Sequence, residues 1–354
     1  MRNTGDDERF MRAALLEAAK GMGKTSPNPA VGAVLVRGRD IIARGYHRRA
    51  GAPHAEVDCL AAYANTIPKR ATLYVTLEPC STTGRTPPCT DALIASGVRA
   101  VVIGATDPNP RHTGRGMKIL RNAGLEVRSG VLARECAALN RGFNKWIQTS
   151  QPYVIVKCGM SLDGRLTRPE GSPRWITSAA SRSHANRRRA MVDAILVGAE
   201  TVRADNPRLT IRDAKHARQP WRVVLSRSGS LPRKAHLFND QHAERTLVFG
   251  DEPLASVLTD LGQRQITSVL IEGGCEILAQ ALDHRLVDRL ELYLGPMCTA
   301  GPVFAFGGKG VASTAGALRI SEVSYERIGG DIFVSGDIAD APPPSGLIVC
   351  NFSF

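Results

Sequence analysis

The sequence predicts an α/β protein of two domains, and three observations carry that expectation. Short apolar runs of strand length alternate with segments of helical periodicity along most of the chain. At 354 residues the chain is long enough to bury two cores of ordinary size. A short polar connector, Thr149-Ser150-Gln151-Pro152, interrupts the alternation and ends in a proline. Domains are therefore expected at 1–149 and 150–340. Residues 341–354, opening on Pro342-Pro343-Pro344, read as a loose tail.

In the first half, residues 10–19 have the apolar spacing of an amphipathic helix, and 33–37 and 41–45 form a strand pair around Gly38-Arg39-Asp40. A helix over 57–64 follows His54 and Glu56, and a strand over 72–77 stops at Glu78-Pro79. A helix over 90–96 stops at Gly97, followed by a strand over 99–104, a helix over 116–122 and a strand over 125–127. One long helix, 132–148, carries the chain out of the domain. In the second half, strands are expected at 153–157, 194–197, 222–225, 246–249, 268–271 and 289–294. Helices are expected at 179–190, 253–261 and 276–283. No G-x-G-x-x-G follows a strand, so a nicotinamide cofactor would need a fold other than the Rossmann type.

Composition narrows the class. Apolar content of 43% and charged content of 22% are those of a soluble globular chain. No run of about 18 apolar residues suggests a membrane span. The charged stretch Met1–Arg12 lacks the apolar segment of a secretion signal, which points to the cytoplasm. The eight cysteines are scattered rather than arranged as a disulfide framework. Cys59, Cys136, Cys158, Cys275, Cys298 and Cys350 are expected to be reduced and mostly buried. A net charge of +13 suits either a polyanion or phosphorylated small molecules. Aromatic content of only 5% gives few stacking platforms for single strands, which favours the small molecules.

The sharpest motif is Pro53-His54-Ala55-Glu56, followed by Pro79-Cys80 and Cys89. One imidazole and two thiolates suit zinc, leaving a fourth position for a water whose pKa the metal lowers toward neutrality. His54, Cys80 and Cys89 are the expected ligands. Glu56 is the expected proton carrier, from water to departing ammonia. The order H-x-E…P-C is that of zinc deaminases. His-Ala-Glu alone is common by chance, and paired cysteines are more often packing residues. The ordered combination, with a proline before both His54 and Cys80, carries the reading.

Generic zinc deaminases separate the two cysteines by two residues, whereas Ser-Thr-Thr-Gly-Arg-Thr-Pro-Pro lies between Cys80 and Cys89. This longer loop resembles that of the riboflavin-pathway pyrimidine deaminases. Further pieces match in order: Pro27-Asn28-Pro29 with Val31-Gly32, Gly45-Tyr46-His47, Asp107-Pro108-Asn109-Pro110 and Gly114-Arg115-Gly116. Matching segments continue in the second half. They are Lys157 with Ser161-Leu162-Asp163-Gly164, Trp175-Ile176-Thr177-Ser178, the stretch 193–198, Thr201-Val202, Asp205-Asn206-Pro207 through Arg212, and Glu272-Gly273-Gly274. The chain thus resembles the bifunctional deaminase–reductases of riboflavin biosynthesis over nearly its whole length.

The resemblance implies a cytidine-deaminase-like α/β/α domain followed by a dihydrofolate-reductase-like α/β domain. It implies one zinc ion per chain, and NADPH. The implied reactions are hydrolysis of the 2-amino group of 2,5-diamino-6-(5-phosphoribosylamino)pyrimidin-4(3H)-one, then reduction of the ribosyl group to ribityl. Asn28, His47 and Arg85 would hold the first substrate. Lys157, Arg189, Leu209, Arg212 and Glu272 would serve the second, and Gly159, Trp175, Thr201, Asp205 and Gly274 would touch NADPH. In Glu272-Gly273-Gly274, glycines between a strand and a helix let backbone approach a phosphate at a helix N-terminus. Arg187 and Arg188 are read as a solvated helix face.

Four positions depart from the family pattern. Thr82 stands where histidine is frequent, Pro173 where a substrate-contacting serine is common, and His184 and Ser226 where aspartates are usual. These keep open a paralogue that makes a related pyrimidine-derived compound with an altered reductase. A nucleic-acid deaminase would share the zinc motif and the basic charge but leaves the second half unexplained. No membrane partner is expected, nucleic acid is disfavoured, and a homo-oligomer stays open.

Overall fold

Strands buried on both faces organise each half of the molecule. The computed structural model describes residues 4–84, 87–166, 175–212 and 218–339. Among these the chain forms two compact units, 4–150 and 151–339. No helix among the described residues is long and apolar enough to cross a membrane.

The first unit opens with α1 (Thr4–Ala19), then β1 (Gly32–Arg37), β2 (Asp40–Tyr46) and α2 (Ala55–Ala61). β3 (Thr72–Leu77), α3 (Cys89–Ser96), β4 (Ala100–Ala105), α4 (Arg115–Asn122) and β5 (Glu126–Ser129) follow. The sheet order is β2-β1-β3-β4-β5. β1 is antiparallel to β2 and β3, while β3, β4 and β5 run parallel. Every residue of β3 and β4 is buried, as parallel strands covered on both faces require. The core joins Phe10, Met11 and Ala14 of α1 to Leu35, Leu73, Tyr74, Val101 and Ile103 of the sheet. Each large apolar side chain so buried contributes roughly 1.5–3 kcal/mol. Gly45 lets α2 lie close on β2, since a Cβ there would come within 2.2 Å of the Cys59 nitrogen. Gly97, at φ 76°, ends α3 in the left-handed conformation.

The long helix expected over 132–148 is instead two: α5 (Ala133–Leu139) and α6 (Arg141–Thr149), broken at Asn140. Apolar periodicity runs through the break, but the Asn140 backbone (φ −116°, ψ 29°) leaves the helical region. The helix expected at 57–64 starts earlier, with His54 as its N-cap, and ends at Ala61.

The second unit contains β6 (Tyr153–Ser161), α7 (Ala179–Arg188), β7 (Ala194–Gly198), α8 (Ala199–Asp205), β8 (Trp221–Leu225), α9 (His236–Asn239) and β9 (Thr246–Phe249). It continues with α10 (Leu254–Gln263), β10 (Ser268–Ile271), α11 (Cys275–Asp283), β11 (Arg289–Gly295), β12 (Ile320–Ile328) and β13 (Asp331–Ile338). The sheet order is β12-β13-β11-β6-β10-β7-β8-β9. Alternation along β6 sends Val154, Val156 and Cys158 into one core and Ile155 into the other. α8, α9 and the β12–β13 hairpin are additions to the elements expected. β12 is mostly solvent-exposed, so its sequence lacks the apolar signal of a strand. All described cysteines are free; Cys59, Cys136 and Cys158 are buried, but Cys298 is exposed. Cys350 and the proposed tail at 341–354 lie outside the described residues.

Candidate active sites

Metal-type donors converge in the first unit. His54 caps α2, Cys80 follows β3, and Cys89 opens α3, so strand-to-helix transitions aim all three at one point. One ligand atom from each lies within 4.8 Å of the others. His54 Nδ1 is 3.2 Å from Cys89 Sγ and 3.5 Å from Cys80 Sγ, and the Cys89 N–H donates to Cys80 Sγ at 3.3 Å. The hydrogen bond between Cys80 and Cys89 pushes the Cys80 thiol down and the Cys89 thiol up. Imidazole and thiolate within this reach fit zinc. Glu56, two residues after His54, is 3% exposed. Burial pushes its carboxyl up to about 7.

The Asn28 and His47 side chains meet beside this cluster. The Pro53 carbonyl, 3.0 Å from His47 Nδ1, can only accept, so that nitrogen carries the proton. His47 Nε2 then accepts from the Asn28 amide at 3.1 Å. Burial lowers the His47 pKa, which keeps the ring neutral. The His47 and His54 rings sit edge to face with centroids 5.2 Å apart. Arg85 lies outside the described residues.

Sequence reasoning missed two buried polar residues here. The Glu78 carboxylate accepts from the backbone N–H groups of Asp107 (3.2 Å), Gly114 (3.0 Å) and Met117 (3.2 Å). It thereby fixes the Asp107–Gly116 segment against the peptide that precedes Cys80. A Cβ at Gly116 would come within 2.2 Å of the Pro79 carbonyl oxygen, so only glycine fits that approach. Asn140 likewise binds backbone rather than another side chain. A polar residue beside a family motif was the available signal for Glu78; none marked Asn140.

In the second unit, Glu272 follows β10 and anchors its own N–H on the Leu196 carbonyl at 3.0 Å. Its carboxylate accepts from Arg189 Nε (2.8 Å) and the Arg189 terminal nitrogen (2.9 Å), with Lys157 Nζ at 3.2 Å. Burial alone would raise this carboxyl, but the two cations outweigh it and hold it well below the usual carboxylate range. Arg189 also donates to the Thr210 carbonyl at 3.4 Å, tying the cluster to the segment with buried Leu209 (φ 51°) and exposed Arg212. Arg188 corrects the expectation of a solvated face. Its Nε donates at 3.0 Å to Glu291, which is fully buried on β11 and requires a cation there. Arg187 alone of that pair is exposed.

The cofactor candidates fall into two groups. Gly274 caps α11, and a Cβ on it would meet only Thr201 Oγ1, at 3.7 Å. Thr201 and Asp205 lie four residues apart on α8 and share a face. Gly159 on β6 borders Thr177, and nearby Trp175 is 51% exposed, with the Arg182 guanidinium 4.6 Å over its ring. Bare backbone at the N-terminus of α11 beside a hydroxyl fits a phosphorylated cofactor. Of the departures, His184 Nδ1 contacts the Tyr293 hydroxyl at 2.8 Å. Ser226 is buried with its hydroxyl unpartnered among the described residues. Pro173 lies outside the described residues.

Comparison with known proteins joins the two sites in one enzyme. A family model described as the RibD C-terminal domain matches residues 152–334. One described as the cytidine and deoxycytidylate deaminase zinc-binding region matches residues 4–105. The riboflavin biosynthesis protein RibD of Aquifex aeolicus is 38% identical over 348 residues, covering 93% of this chain and 97% of that protein. Its counterpart in Escherichia coli is 40% identical over 323 residues, covering 82% and 88%. The solved structure of Acinetobacter baumannii RibD matches with a TM-score of 0.87 at 35% identity, over 95% of this chain and 99% of that one. A Thermotoga maritima structure, described as a diaminohydroxyphosphoribosylaminopyrimidine deaminase/5-amino-6-(5-phosphoribosylamino)uracil reductase, gives 0.86 at 35% identity, over 95% and 99%. Zinc and NADPH are the cofactors of these domains. The chain belongs to the RibD family of bifunctional riboflavin-biosynthesis enzymes, a zinc-dependent deaminase joined to a reductase.

Proposed function

We propose that the first unit hydrolyses the 2-amino group of 2,5-diamino-6-(5-phosphoribosylamino)pyrimidin-4(3H)-one and the second reduces the product's ribosyl group, giving 5-amino-6-(5-phosphoribitylamino)uracil. We assign the deaminase domain to residues 1–149 and the reductase domain to 150–340. The observation that carries the reading is the convergence of His54, Cys80 and Cys89 within 4.8 Å, with Glu56 buried alongside.

His54, Cys80 and Cys89 would hold zinc, which when bound makes water a nucleophile near neutral pH. Glu56 takes a proton from the water and returns it to the leaving ammonia; its buried place beside the three donors suits a proton carrier. The Asn28 amide nitrogen is engaged by His47. Its carbonyl oxygen is therefore the atom left to accept from an amino group of the pyrimidine. By resemblance, Arg85 is the third group proposed to hold this substrate.

In the second unit NADPH supplies the hydride. Gly274 and Thr201 receive its phosphates, with Gly159, Trp175 and Asp205 completing the cleft. Lys157, Arg189 and Glu272 form a cluster of net positive charge that orients the substrate, with Leu209 as its apolar wall. Arg212, exposed and without a side-chain partner among the described residues, is free for the phosphate. We further infer a cytoplasmic enzyme that acts on small molecules and not on nucleic acid.

Incubation with the diaminopyrimidine phosphate tests this. Without NADPH the deaminated uracil should accumulate; with NADPH the ribityl product should form. Deamination without any NADPH oxidation would instead support a paralogue with an altered reductase.

A further inference from the structure

Asn140 sits between α5 and α6, where an asparagine ordinarily caps the helix that follows it. It makes no side-chain cap to α6. Instead its Oδ1 accepts from the Ala30 N–H at 2.8 Å, and its Nδ2 donates to the Ala30 carbonyl at 2.9 Å. The amide thus saturates both backbone groups of a residue 110 positions away, as a neighbouring strand would. The residue is only 6% exposed, so both bonds are shielded from water.

Ala30 lies two residues after Asn28, and hydrogen bonds through His47 join Asn28 to Val31, the neighbour of Ala30. The Val31 carbonyl accepts from the His47 N–H at 2.9 Å. The His47 ring accepts from the Asn28 amide at 3.1 Å. His47 is in turn fixed on the Pro53 carbonyl, next to the ligand His54. Asn140 joins this network through Ala30, from the far end of the unit's sequence. It ties the loop bearing Asn28 to the last helices of the unit.

We propose that Asn140 is a positioning residue for deamination: it holds the Ala30 peptide so that the Asn28 carboxamide faces the pyrimidine. This rests on the reading of Asn28 as a substrate-holding group. At Asn140 the backbone leaves the helical region, and at the same point the side chain holds Ala30.

The test is a double-mutant cycle on the full-length, zinc-loaded protein, with the diaminopyrimidine phosphate as substrate. Asn140→Ala should raise the deaminase KM by about tenfold with little change in kcat, since a ground-state contact is displaced. Asn140→Asp retains the acceptor for the Ala30 N–H but opposes its carbonyl, and should fall between. Zinc content and NADPH-dependent reduction of already deaminated substrate report folding, and both should match wild type. In an Asn28→Ala background, Asn140→Ala should add nothing further to KM. An unchanged KM in Asn140→Ala, a fall in kcat alone, or the same KM rise in the Asn28→Ala background overturns the inference. A normal KM in Asn28→Ala alone refutes the reading of Asn28 and takes this inference with it.

Discussion

The two sites balance buried charge in opposite ways. In the first unit, His54, Cys80 and Cys89 all present donor atoms to one point, and their mutual hydrogen bonds share protons that a cation would displace. In the second, Lys157 and Arg189 close on Glu272, and the two cations satisfy its carboxylate. A site made of donors depends on an ion for its integrity; a site made of counter-charges depends on each of its members. The first should therefore respond to metal removal and the second to single substitutions and to acid.

The largest expected effect is on the donor site. Cys80→Ser or Cys89→Ser should remove zinc from the protein and abolish ammonia release, while reduction of already deaminated substrate continues. Elemental analysis alongside both assays checks this. Zinc retained at the wild-type level in either variant would break the comparison at its root. Next comes Glu56→Gln, which keeps the shape of the side chain but cannot carry a proton. Deamination should fall by about 10²–10⁴-fold with zinc retained. Full turnover in that variant would assign proton transfer to another group.

The convergence of the three donors was legible because their chemistry restricts their identity. Only a few side chains ligate zinc, so His54, Cys80 and Cys89 announce themselves by type and order. Glu272-Gly273-Gly274 was legible through its place between a strand and a helix, and β10 and α11 do flank it. Glu78 and Asn140 were not legible, since their partners are backbone N–H and C=O groups that every sequence supplies. The same blindness explains Arg188. Three consecutive arginines look alike in sequence, and only the fold sets one against Glu291 and another against Glu272. α8 was missed because it is short and buries only Val202. Long-range pairing, not local propensity, decides such positions.

The counter-charge site makes its own prediction in acid. The folded pKa of Glu272 lies below the unfolded glutamate value of about 4.3. Its contribution to stability is therefore complete above that pH and is lost as pH falls through the folded value. Urea unfolding between about pH 3 and pH 7 should show a plateau, then a decline below about pH 4. Glu272→Gln should destabilise the second unit by about 3 kcal/mol at neutral pH and make that decline shallower. Identical acid slopes for the two proteins would show that Lys157 and Arg189 do not stabilise the carboxylate.

The smallest effect, and the finest test of the comparison, is at Arg212. It is exposed at the end of the segment that Arg189 tethers through Thr210, and among the described residues its side chain has no partner. It can thus be removed without stranding a buried charge, unlike Lys157, Arg189 or Glu272. Arg212→Ala should leave stability and the KM for NADPH unchanged while raising the KM for the phosphorylated substrate about five- to tenfold, as loss of one charge-assisted contact entails. Steady-state kinetics with each substrate varied separately distinguishes these. An equal rise in both KM values would mean that Arg212 shapes the whole cleft. No rise in either would leave phosphate recognition to the buried cations, so that the cluster held by Glu272 would itself be the binding site and not its support.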